Sequence, residues 1–97
     1  MFVRLTFVKL DPKRLEGARA QANGAEIREI AAREKGFRFM YLLESVEQPG
    51  DAVSISAWDT REDAEAYAKK IYPTLVGKFK QWFTGPAELR LYEAPGE

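Results

Sequence analysis

Residues 2–10, FVRLTFVKL, alternate along the chain. Val3, Leu5 and Phe7 point one way; Phe2, Arg4, Thr6 and Val8 point the other. A period of two with one apolar side and one mixed side predicts a strand. Asp11-Pro12 follows and reads as an N-cap with proline at the first helical position. The pattern then changes to helical spacing, predicting a helix from Pro12 to about Lys35 that Gly36 closes. Its apolar positions, Leu15, Ala18, Ala22, Ala25, Ile27, Ile30 and Ala31, are mostly small, which lets a helix lie close to a sheet. Asn23-Gly24 interrupts it, and a glycine there costs about 1 kcal/mol relative to alanine. The interruption is either a tolerated kink or a bend that opens room for a ligand.

Residues 37–46, FRFMYLLESV, predict a second strand, and Gln48-Pro49-Gly50-Asp51 a turn. Residues 52–58, AVSISAW, predict a third, so the two form a hairpin. Thr60-Arg61-Glu62-Asp63 resembles a capping box. Ala64, Tyr67, Ala68 and Ile71 follow at helical spacing, and Pro73 ends or kinks that helix. A further helical stretch carries Leu75, Val76, Phe79, Trp82 and Phe83, stopped by Gly85-Pro86. Residues 87–93 predict the last strand, and the tail from Ala94 to Glu97 is expected to fray.

Two strand–helix–strand halves in this order predict an α+β, ferredoxin-like βαββαβ antiparallel sheet with both helices on one face and strand order 4-1-3-2. The dry face is expected to carry Val3, Leu5, Phe7, Val53, Ile55, Ala57, Leu89 and Leu91. The uncovered face would then hold Arg4, Thr6, Arg38, Met40, Leu42, Ser54, Ser56, Trp58, Glu88, Arg90 and Tyr92, with Arg4 near enough to Glu88 or Arg90 to pair. A face of that mixed character commonly packs on another subunit.

Length narrows this further. Ninety-seven residues make a single domain over residues 1–97, with a modest core. With no cysteine and no histidine, disulfides and the usual metal-ligand clusters are excluded. A partner subunit is the remaining common source of extra burial. Fifteen basic and fifteen acidic residues cancel, so the broad positive field of a nucleic-acid binder is missing. AVSISAW also lacks the aromatic signature of an RNA-binding sheet. The apolar runs are too short to span a bilayer. MFVRLTFVKL lacks the parts of a signal peptide, so the expected location is the cytoplasm. Phosphate-cradling glycine loops are absent, no cysteine or histidine offers a nucleophile or base, and Ser54 and Ser56 have no identifiable activating base. Asp59, Glu62 and Asp63 cluster where helix capping and the helix dipole favour acids.

Trp58 at the end of the third strand, followed by Asp59-Thr60-Arg61-Glu62-Asp63-Ala64, resembles the W-[DE]-[ST]-x-E stretch of antibiotic-biosynthesis-monooxygenase-like (ABM) domains of the dimeric α/β-barrel superfamily. Gly36-Phe37 opening the second strand and the late proline before the fourth are similar too, and the layout agrees over nearly the whole chain. The resemblance implies a homodimer whose two sheets face each other, with an apolar pocket between helices and sheet in each subunit. It implies, for some members, oxidation of anthrone-like phenols to quinones with O2 and neither metal nor flavin. Other members open haem with an asparagine, a tryptophan and a histidine. Here those positions fall near Val3, at Trp58, and near Ala68 beside Tyr67, so haem chemistry lacks its ligand. The quinone-forming branch's asparagine falls near Ser54. The expected function is therefore a dimeric protein binding a small apolar aromatic compound and acting as a cofactor-independent monooxygenase; the alternatives are a non-enzymatic structural or ligand-sensing dimer and, third, a haem-binding protein. Trp58, Ser54, Tyr67, Tyr41, Arg38 and Tyr72 are the expected ligand-binding residues, with no cofactor.

Overall fold

Strand β1 (Phe2–Lys9) is followed by a 3₁₀ turn over Pro12–Arg14 and by helices α1 (Leu15–Ala22) and α2 (Ala25–Ala32). The hairpin β2 (Phe37–Glu44) and β3 (Asp51–Trp58) comes next, then α3 (Arg61–Lys70), α4 (Tyr72–Phe79), a second 3₁₀ turn over Lys80–Trp82, and β4 (Glu88–Glu93). This computed structural model describes residues 1–22 and 25–95. The expected interruption at Asn23-Gly24 and the end of the tail lie outside the described residues, and the side chains of residues 21–28, the helix-face positions Ala22, Ala25 and Ile27 among them, are not described.

The sheet is antiparallel in the order β2-β3-β1-β4, the expected order, with helices packed on one face. Local chemistry explains the element ends. Asp11 accepts a hydrogen bond from the Lys13 amide, and Thr60 Oγ1 accepts one from the Asp63 amide, each satisfying an orphan donor of a helical start. Gly36 takes a φ of 80° between α2 and β2, a left-handed conformation that glycine adopts without strain. Pro73 does not simply end a helix. It sits in the first turn of α4, where its missing N–H costs nothing, and Ile71 joins α3 to α4.

The core forms two clusters. Trp58, Tyr67, Ala31, Ala64 and Leu75 make one; Val8, Leu10, Ala18, Ala52 and Trp82 make the other. Small helix residues permit the close approach: a Cβ on Gly17 would stand 2.7 Å from Trp82 Nε1.

The faces of β1 and β3 are the reverse of the expected ones. Arg4, Thr6, Ser56 and Trp58 are buried beneath the helices, and Met40, Leu42 and Ser54 share that face by register. Val3, Leu5, Phe7, Val53 and Ile55 turn to the open face, with Phe39, Tyr41 and Leu43 beside them on β2. Alternation separates two faces without saying which one the helices cover. Here the helices bring bulky aromatics of their own, so the sheet beneath them has room for Arg4, Thr6, Ala52, Ser54 and Ser56 beside Trp58, Met40 and Leu42. The expected pairing of Arg4 with Glu88 or Arg90 does not form. Arg4 stands opposite Leu91 on the helix-covered face, whereas Arg90 stands opposite Leu5 on the open one, and Glu88 pairs with Arg90. For β4 the expected parity holds, because Leu89 and Leu91 lie on the helix side. Yet all six β4 residues are exposed, since this edge strand runs beyond helix cover.

Candidate active site

Between α3–α4 and the sheet lies a cavity of about 160 Å³. Its sheet wall comes from Thr6 and Val8 on β1, Met40 and Leu42 on β2, and Ser54 on β3. Its helix wall comes from Tyr67 on α3 and from Tyr72, Leu75, Val76 and Phe79 on α4. Helical spacing explains that second wall: Tyr72, Leu75, Val76 and Phe79 fall at i, i+3, i+4 and i+7 and so share one face of α4. Arg19 of α1 and Glu44 at the end of β2 also border the space. They form a two-pronged ion pair, the Arg19 Nε lying 2.9 and 3.0 Å from the two Glu44 oxygens.

The lining is mainly apolar, with hydroxyls among it from Thr6, Ser54, Tyr67 and Tyr72 and, at its border, Tyr41. Burial pushes the Tyr67 phenol up to about 12, against a smaller opposing pull from the Arg4 charge. Burial also raises Tyr72, opposed by its hydrogen bond with Thr6 and by Arg4. At neutral pH both phenols are therefore protonated and able to donate a hydrogen bond. Arg4 lies against them, its guanidinium carbon 4.8 Å from the Tyr72 ring centre and 5.3 Å from that of Tyr67. Burial lowers the Arg4 pKa from its ordinary value, and the two phenols oppose the shift.

Ser54, Tyr67 and Tyr72 are all brought to the cavity wall. Tyr41 borders it too, although by register its side chain belongs to the open face; it is 51% exposed and rests on Phe39 with ring centres 5.6 Å apart. Trp58 supports the site from behind and is fully buried. Its ring lies 4.7 Å from Tyr67, Phe37 meets it edge-on at 5.6 Å, and its Nε1 donates to Ser56 Oγ at 3.0 Å. The structure places Arg38 elsewhere: it is exposed and paired with Asp59 at 2.6 Å. Sequence reasoning missed Thr6 and Arg4: it places both on the uncovered face, and no family motif points to them as one does to Ser54 and Trp58. Trp58 carries the signal that would have corrected this. The bulkiest side chain of a strand belongs in the core, and Arg4, Thr6 and Ser56 share its parity.

A four-stranded antiparallel sheet with helices on one face and a mostly apolar cavity between the layers defines a ferredoxin-like α+β domain. Residues 1–83 match the antibiotic biosynthesis monooxygenase family, and the chain belongs to that family. Among solved structures it is similar to a proposed antibiotic biosynthesis monooxygenase from Nitrosomonas europaea, at 22% identity over 96% of this chain and 88% of that one, with a TM-score of 0.80. A conserved protein from Methanosarcina mazei Go1 shares the fold at 10% identity over 98% and 94% of the two chains, TM-score 0.80. SnoaB, a cofactor-independent oxygenase from Streptomyces nogalater, does so at 16% identity over 99% and 94%, TM-score 0.72. No curated protein matches the chain.

Proposed function

We propose that this protein binds a small aromatic or phenolic compound in the cavity between α3–α4 and the sheet, and oxygenates it without a cofactor, as a homodimer. The observation that carries the reading is the cavity itself. Apolar walls bury a ring, and the hydroxyls of Thr6, Ser54, Tyr67 and Tyr72 give a phenolic oxygen its hydrogen-bond partners. Cofactor-free oxygenation asks little more of a protein than a dry cavity and donors that stabilise a substrate phenolate or carbanion. The buried Tyr67 phenol, the half-buried Tyr72 phenol and the nearby Arg4 charge suit that task. In the overall step O2 gives one oxygen atom to the substrate, and the other leaves as water with two substrate hydrogens. Family membership and the oxygenase activity of SnoaB support the same reading.

The dimer rests on the open face. Phe7, Tyr41, Leu43 and Tyr92 are 37–51% exposed there, a continuous apolar sheet surface that a second copy would cover. A second reading, a ligand sensor without turnover, draws on one observation: apart from the mutually paired Arg19 and Glu44, the cavity's polar groups are hydroxyls, so no free base lines it. Oxygen uptake separates the two. An oxygen electrode with hydroquinones and one- to three-ring phenols should record protein-dependent consumption that Leu75→Trp, which fills the cavity, abolishes. Binding without consumption would leave the sensor reading standing.

A further inference from the structure

Arg4 is the only base classed as buried among the described residues, at 8% exposure. None of the ion pairs among those residues includes it. Its guanidinium makes no hydrogen bond to them, yet no buried nitrogen is sealed from solvent without a partner, so the fork keeps some open surface. Two tyrosine faces hold the charge. Ring faces offset only part of the cost of taking a guanidinium out of water, and buried arginines are ordinarily matched by an acid.

The same two rings line the cavity, and Thr6 lies two residues along β1 from Arg4 on the same face. A positive charge thus stands directly behind the cavity wall, in surroundings where the field is weakly screened. The cavity interior holds no acid to match it. Glu44, the one lining carboxylate, is already engaged by Arg19. The volume is informative as well. About 160 Å³ is close to the ~150 Å³ of an engineered apolar cavity that holds benzene, so the space accommodates a single ring.

We propose that the cavity selects an anionic ligand, a single aromatic ring bearing a carboxylate, and that Arg4 sets this preference. The proposal rests on the cavity being a ligand site and names the class of ligand that it takes. A carboxylate accepts from the Tyr67, Tyr72, Thr6 and Ser54 hydroxyls and meets the Arg4 charge in one place. A neutral ring of the same shape satisfies the hydroxyls alone.

Isothermal titration of the full chain with two matched pairs, phenylacetate against phenylacetamide and benzoate against benzamide, tests this. The wild type should bind at least one acid tenfold or more tighter than its amide, and the preference should persist in 0.5 M NaCl, because a buried charge is little screened. Arg4→Met should reduce the acid to the affinity of the amide and leave the amide within twofold. Arg4→Lys should keep most of the preference, and thermal melts establish that both variants are folded. Equal binding of acid and amide by the wild type, or a preference that survives Arg4→Met, overturns the role of Arg4. If an amide binds and Leu75→Trp blocks it while the acid is no tighter, the cavity stands and only the anion claim falls. If no acid or amide binds at millimolar concentration, the cavity reading fails and the proposal goes with it.

Discussion

Trp58 and Tyr67 hold the site from its covered side. Trp58 joins sheet to helix through its stack on Tyr67 and its edge contact with Phe37, and Ser56 satisfies its one polar atom. Trp58→Ala should lower unfolding free energy by about 3–5 kcal/mol, since the cavity cannot collapse against two rigid strands. Urea titration measures it, and a loss under about 1 kcal/mol would mean that the indole contributes little. Tyr67 makes a pH-dependent contribution. Its folded pKa is raised above its ordinary value of 10.0 to about 12, so the folded state holds the proton more tightly than the unfolded one. That stability is complete below pH 10 and is lost as pH rises through about 12. Tyr67→Phe has no proton to lose, so its stability should fall less steeply over that window; parallel slopes would place the Tyr67 hydroxyl in water.

At the scale of elements, the junctions are the sensitive points. Gly36 couples a positive φ to a tight contact, because a Cβ there would collide with the Asp63 side chain. Gly36→Ala should therefore cost more than the roughly 1 kcal/mol of a left-handed backbone alone, and Thr60→Ala, which removes the α3 cap, about 1 kcal/mol. Chemical denaturation of the two variants checks both. Elements of this kind were readable in advance because their signals are local: Asp11-Pro12, Gly36 and Thr60 follow from neighbouring residues, whereas the strand order follows from the succession of two strand–helix–strand halves. Pro73 shows the limit, since a proline that ends one helix also begins the next. The cavity wall was half legible. Tyr67, Tyr72 and Ser54 were expected there, but Arg4 and Thr6 were not, because alternation leaves open which face of a strand is covered and only Ser54 on that face matches a family position. That choice depends on the helices, whose aromatics fill the layer and leave Val3, Leu5 and Phe7 outside.

For the whole molecule, the surplus of apolar side chains on the open face calls for a second copy. Light scattering should return twice 11.0 kDa, and Ile55→Glu in the middle of that face should give monomers; a wild-type monomer at micromolar concentration would refute the dimer. The proposed site of ligand and chemistry, however, lies between the helices and the sheet. The most direct measurement is amide chemical-shift mapping of the labelled protein during titration with single-ring aromatic acids and phenols. Saturable shifts clustered at Thr6, Ser54, Tyr67, Tyr72 and Leu75 are the predicted result. Shifts confined to Val3, Ile55 and Leu43, or none at all, would contradict it.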